Sequence, residues 1–162
     1  MTASDGDATR DKLAVIELLN RYSDAVNRRD RKTLGDLFCA DIVWDVTGSD
    51  TPPWNELPWT FSFRGREQVL DGEGALIDGL ELLTHVTLAI VVNLDGDRAT
   101  ASSTVQEIMR ARRTTQDIMM LGMYADEIVR ESDGAWRFAS RTFRITYVGN
   151  LGGTGQVLRQ FP

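Results

Sequence analysis

The sequence predicts an α+β fold. Helices come first, then a strand, another helix and a strongly curved, mostly antiparallel sheet that closes into a cone-shaped barrel around a pocket. Two observations carry this. Residues 84–148 divide into four long strand-like runs, and two of their three joints are Asp-Gly pairs, Asp95-Gly96 and Asp133-Gly134. Asp-Gly between apolar runs marks a hairpin, because the turn needs a positive φ that Gly adopts without strain. Upstream, residues 9–28 carry apolar side chains at three- and four-residue spacing, the period of an amphipathic helix. A helical layer followed by a meander places the helices on the concave face of the sheet.

Element by element, residues 1–8 are small, polar and acidic and read as a disordered N-terminus. The first helix spans Thr9, a candidate N-cap, to Arg28. Its stripe runs through Leu13, Ile16 and Leu19 (or Val15 and Leu18) to Tyr22 and Val26. Asp30 is placed to cap a short helix over Arg31–Phe38. Residues 42–47 read as a strand. The segment GSDTPPWNELPW, with three prolines and no period, reads as a loop. Its Trp54 and Trp59 either close over a cavity or cover the open end of the sheet. A third helix follows over about 66–77, weakened by Gly72 and Gly74. The meander ends at residue 148, leaving 149–162 as a glycine-rich tail. No helix can follow those glycines, so they do not form a phosphate loop. Residues 9–148 thus make a single domain.

At 162 residues the chain is long enough for a substantial core, and a net charge of −6 argues against nucleic acid as a partner. Arg110, Arg112 and Arg113 form a local basic cluster that reads as a solvated strand end. The single cysteine, Cys39, permits no intrachain disulfide, and the N-terminus has no apolar leader. No apolar run approaches the ~20 residues that span a bilayer. These features predict a cytoplasmic protein without membrane contact. One histidine and scattered carboxylates give no metal-ligand spacing, so neither metal nor other cofactor is expected. Weak alternation in 86–92 and 99–105 predicts that both sheet faces are covered, one by the pocket and the convex one by a second copy, a homodimer.

The stretches RYSDAVNRRD (21–30) and LGDLFCADIVWD (34–45), with Phe63-Arg64-Gly65, His85, Asp95-Gly96-Asp97-Arg98-Ala99 and DGAWRF (133–138), resemble the nuclear transport factor 2-like superfamily. More narrowly the chain resembles its SnoaL-like group, which includes polyketide cyclases, ketosteroid isomerase and scytalone dehydratase. The resemblance implies a cone fold over about residues 10–148. Tyr22 falls where the isomerase keeps its oxyanion-hole tyrosine, and His85 where the dehydratase keeps a catalytic histidine. Asn27 replaces a dehydratase aspartate, and Met109 lies near its second histidine. Val46 stands where the isomerase has its general-base aspartate and the dehydratase a tyrosine. Neither reaction transfers whole.

Read from their own chemistry, His85 is the candidate acid/base, the one side chain here that ordinarily titrates near neutrality. The alternative is a core imidazole bonded to a backbone carbonyl. Strand parity sets Thr87 and Ala89 on its face. Tyr22 either donates to a substrate oxygen or ties its helix to the sheet. Glu107 shares parity with Ala99, Ala101, Ser103 and Val105 and points into the pocket unless a bulge substitutes Gln106. Tyr124 and Asp126 share a face, and Asp126 is in reach of a bond to Arg141. Trp44 and Trp59 would wall a ring-shaped ligand. The expected function is a cofactor-independent cyclase, dehydratase or isomerase. Its substrate would be a small hydrophobic ring compound of polyketide or terpenoid type, with His85, Tyr22 and Glu107 catalytic. Trp44, Val46, Trp59, Tyr124, Asp126, Asn27 and Met109 would bind that substrate. The alternatives are a non-catalytic binding or association domain, and an epoxide-opening hydrolase built on Glu107 and Asp126.

Overall fold

The computed structural model describes residues 5–48, 60–152 and 155–157. Three helices, α1 (Asp5–Arg28), α2 (Arg31–Leu37) and α3 (Arg66–Asp78), accompany six strands. These are β1 (Phe38–Thr47), β2 (Phe61–Arg64), β3 (Leu80–Asp95), β4 (Arg98–Ala111), β5 (Ile118–Arg130) and β6 (Trp136–Asn150). They form one sheet in the order β2-β1-β6-β5-β4-β3. Only the β1–β6 pairing is parallel, and β3 to β6 are the expected meander. Gly96 and Gly134, at φ +59° and +83°, take the left-handed turn positions.

Several boundaries depart from the sequence reading. Residues 5–8 are helical rather than disordered, with Asp7 near the positive pole of the helix and paired with Arg10. The buried stripe of α1 is Val15, Leu18, Leu19, Tyr22, Ala25 and Val26, whereas Leu13 is exposed. Asp30 does cap α2, accepting from the Thr33 N–H at 3.0 Å. The β2 strand was not anticipated, and β6 extends into the expected tail. Trp54 and Trp59 lie outside the described residues. Arg110 is not solvated: it is buried, donating to Asp117 at 2.6 Å and to the Gly155 carbonyl at 2.7 Å.

Helix α3 runs unbroken through both glycines because those positions admit neighbours. A Cβ at Gly72 would meet the Phe63 ring at 2.1 Å, and one at Gly74 the Arg31 guanidinium at 2.5 Å. Arg29, at φ +58°, ends α1 and donates to the Ile77 and Leu80 carbonyls, fixing the α3–β3 turn.

Bulges give the sheet its curvature. In β3 the register shifts between Leu88 and Val91, and Ala89 takes φ +51°. The inward set therefore changes from Leu83 and His85 to Val92, and Ala89 is exposed instead of sharing the His85 face. In β4 no such slip occurs, so Ala99, Ala101, Ser103, Val105 and Met109 all point inward. The outer face carries apolar side chains at intervals across the register: Val86 is separated from Leu121 and Tyr147 by Gln106, and Leu88 from Met123 by Thr104. Leu88, Met123 and Tyr147 are each about half exposed.

Gly122 lets the Phe143 ring lie against β5, where it stacks on Tyr124 at 4.7 Å. A methyl group at Gly122 would meet that ring at 2.3 Å and the Arg144 carbonyl at 2.7 Å. Gly122→Ala is expected to cost roughly 1–3 kcal/mol in urea unfolding. An unchanged midpoint would show that the ring has room to move.

Candidate active site

A cavity of about 340 Å³ lies between α1, α3 and the concave face of the sheet. Its wall is apolar except at Tyr22, Trp44, Glu73, Glu107 and Tyr124. Trp44, Val46, Met109 and Tyr124 line it, and so does Glu107, with Gln106 on the other parity.

His85 does not line it. The side chain is buried, and its Nδ1 meets Glu107 Oε1 at 2.6 Å, so the carboxylate stands at the wall with the imidazole behind it. The cause is local. Asn27 grips both backbone groups of His85, donating to its carbonyl at 2.9 Å and accepting from its N–H at 2.7 Å. A second tie joins Ser23 to Thr87 at 2.5 Å. Strand β3 is thus held against α1, and the imidazole packs edge-on to the Tyr22 ring at 5.5 Å. Asn27, expected to contact substrate, is spent on this grip and lies outside the cavity wall.

Asp126 is likewise absent from the wall. It sits opposite Arg141 in the β5–β6 register and accepts from its guanidinium at 2.9 and 3.4 Å, both side chains being buried. The Glu107–Asp126 pair needed for epoxide opening is therefore not assembled. The guanidinium lies 3.9 Å from the centroids of both Tyr22 and Tyr124 and 4.1 Å from that of Phe138. Burial opposes its charge, but Asp126 and the phenols hold its pKa above the ordinary value.

Glu73 was not anticipated. It is buried on α3, and its Oε1 accepts from the Tyr22 hydroxyl at 2.6 Å. The Tyr22 and Tyr124 hydroxyls are 3.5 Å apart. Burial pushes Glu73 up to about 7; Tyr22 and Arg141 oppose that rise and Glu107 adds to it. Burial first, then Glu73, raises Tyr22 well above its usual value, and burial raises Tyr124. Both phenols therefore stay protonated at neutral pH. The signal for Glu73 was its spacing, four residues from Val69 and four from Ile77, both buried. A carboxylate on an apolar stripe invites the question of its partner, but the flanking glycines drew the reading to helix breaking. Cys39 is no nucleophile, since burial pushes its thiol up to about 11. Among the described residues, no three His, Cys, Asp or Glu side chains gather as a metal site, and no helix is long and apolar enough to cross a membrane.

Comparison places these features among known proteins. The family model described as a SnoaL-like domain matches residues 7–142. A hexachlorocyclohexane dehydrochlorinase of LinA type 2 superposes with a TM-score of 0.80 at 19% identity, over 98% of this chain and 100% of that one. The LinA-type3 enzyme from Novosphingobium barchaimii LL02 gives 0.80 at 20% identity, over 96% and 99%. A protein named as a candidate scytalone dehydratase, from Novosphingobium aromaticivorans DSM 12444, gives 0.74 at 20% identity, over 96% and 94%. No curated protein matches the sequence. At such identities these structures share the fold.

The Glu73 carboxyl couples stability to pH. In the unfolded chain it ionises near 4.5, in the folded protein near 7. Well below pH 4.5 it is protonated in both states and adds no pH dependence. As pH rises toward 7 only the unfolded chain ionises, so stability falls, by about 3 kcal/mol in all. The unfolding free energy of wild type minus that of Glu73→Gln should therefore drop by roughly that amount between pH 4 and 8 in urea titrations. A difference independent of pH would contradict the assignment.

Proposed function

The chain belongs to the SnoaL-like domain family, and on that premise we propose that it is a cofactor-independent acid/base enzyme of the lyase or isomerase kind. It acts on a small, hydrophobic, ring-containing molecule. The observation that carries this reading is the 2.6 Å contact between His85 and Glu107 at the wall of an otherwise apolar cavity. The names of the structural neighbours, two dehydrochlorinases and a candidate dehydratase, favour elimination chemistry.

Glu107 is the catalytic base in this reading. It takes a proton from a ring carbon, and the electrons of that C–H bond form a C=C bond as the adjacent C–X bond breaks. The departing group leaves with its own electron pair. In an isomerisation Glu107 returns the proton to another carbon. His85, behind it, is a positioning residue: its Nδ1–H holds the carboxylate in one rotamer and balances its charge as the proton moves. Tyr124 orients a substrate oxygen, while Tyr22 donates its one proton to Glu73 and braces the Tyr124 hydroxyl 3.5 Å away. The apolar wall excludes water and selects the reactive conformer, a large share of the work in a ring reaction. The exposed apolar side chains Leu88, Met123 and Tyr147 support pairing with a second copy through the convex face.

The test is turnover in D2O of ring ketones, β-hydroxy ring ketones and halogenated rings, read as olefin formation and deuterium incorporation. Wild type should convert at least one class. Glu107→Gln and His85→Ala should each lower kcat by on the order of 10²-fold or more, with ligand binding retained. His85→Ala should also shift the pH–rate profile. Full activity in Glu107→Gln would remove it from the mechanism. Binding without turnover of any class would favour a non-catalytic ligand-binding domain.

A further inference from the structure

The charges on the cavity wall are unbalanced. Among the described residues two carboxyls, Glu73 and Glu107, line it, and no lysine, arginine or histidine does. The nearby cationic and cationisable groups are committed behind the wall. Arg141 is buried against Asp126 at 2.9 Å, and His85 is buried with its Nδ1 on Glu107. The wall also carries five aromatic rings, Tyr22, Trp44, Phe61, Tyr124 and Phe143. Ring faces are electron-rich, so a carboxylate set among them attracts a cation by its charge and by the ring quadrupoles together.

The two acids differ in reach. Glu73 is buried, and the Tyr22 hydroxyl occupies its Oε1. Glu107 keeps 15% of its side chain exposed. His85 takes its Oε1, and Oε2 makes no hydrogen bond with any described residue. The charge of Glu107 is felt across the cavity: burial is the main cause that raises Glu73 and Tyr124, and Glu107 adds to both rises. An entering anion meets that charge and finds no cation to receive it. A neutral donor gives Oε2 a hydrogen bond. A protonated amine gives it the bond and the opposite charge, in a space poor in water where charge attraction is strong.

We propose that the cavity takes a protonated, otherwise apolar ring amine, whose ammonium N–H donates to Glu107 Oε2 while its ring lies against the aromatic wall. At about 340 Å³ the cavity is at the small end of ligand pockets, which suits one or two rings. The inference rests on the proposed function's reading of the cavity as the substrate site, and it deepens that reading. In the elimination a ring C–H points at Glu107. The ammonium N–H takes the same place, so a ring amine competes with the substrate for the base.

Calorimetric titration of the full chain at pH 7.5 with three probes of one shape and different charge tests this. The probes are 2-aminotetralin, 2-tetralol and tetralin-2-carboxylate. Wild type should bind the amine about tenfold more tightly than the alcohol, and the carboxylate about tenfold more weakly than the alcohol. Glu107→Gln keeps the shape and removes the charge. It should still bind the alcohol, and bind the amine no better than the alcohol. The wild-type series decides the charge selection even where the variant does not fold. Equal wild-type affinities for amine and alcohol, or tightest binding of the carboxylate, would overturn the proposal and leave the cavity reading standing. So would an amine preference that survives Glu107→Gln. Failure of every probe to bind wild type would overturn the cavity reading itself, and this proposal with it.

Discussion

Around the cavity three carboxylates, Glu73, Glu107 and Asp126, share one guanidinium, Arg141, and one imidazole, His85. An interior poor in water tolerates a charge only where a partner compensates it. The fold assigns the partners through its register. Asp126 faces Arg141 across β5 and β6, and Glu107 faces His85 across β4 and β3. Glu73, arriving from α3, finds only a phenol. Two carboxyls are thereby matched with cationic or cationisable groups, and the third is held up at about 7 by burial. The site therefore holds Glu107 paired with His85 and Glu73 without a cation in one apolar space.

Arg141 does more than neutralise Asp126. Its guanidinium plane lies against both Tyr22 and Tyr124, so the two phenols that bring helix and sheet together are held on a single cation. Phe143 stacks on the far side of Tyr124 and depends on the missing side chain at Gly122. Rigid packing of this kind is what a proton-transfer site needs, because small displacements of the reacting groups cost rate.

Much of the fold was legible in local pattern. The Asp-Gly joints placed the meander, the stripe containing Tyr22 and Val26 placed α1, and the parity of Ala99 to Val105 carried Glu107 into the cavity. Long-range placement was not legible. Nothing local in Asn27 announces that it will grip the His85 backbone 58 residues away and draw the imidazole behind the wall. The bulge at Ala89 needs a positive φ from a residue that rarely adopts one, so parity counting failed there. Gly72 and Gly74 read as weakness because propensity ignores neighbours. They are where Phe63 and Arg31 approach, and they flank the acid that the reading overlooked.

The protonation of Glu73 is the most direct test of this assignment of charges. Carboxyl carbon NMR of the full chain, labelled at glutamate, would follow every glutamate through pH 3–9. One resonance should titrate near 7, vanish in Glu73→Gln and move higher in Tyr22→Phe, where the hydrogen bond that favours the ionised form is gone. If every glutamate instead titrates in the ordinary range near 4–5, Glu73 is ionised at neutral pH. The cavity then has no acid held up by burial, and the account fails.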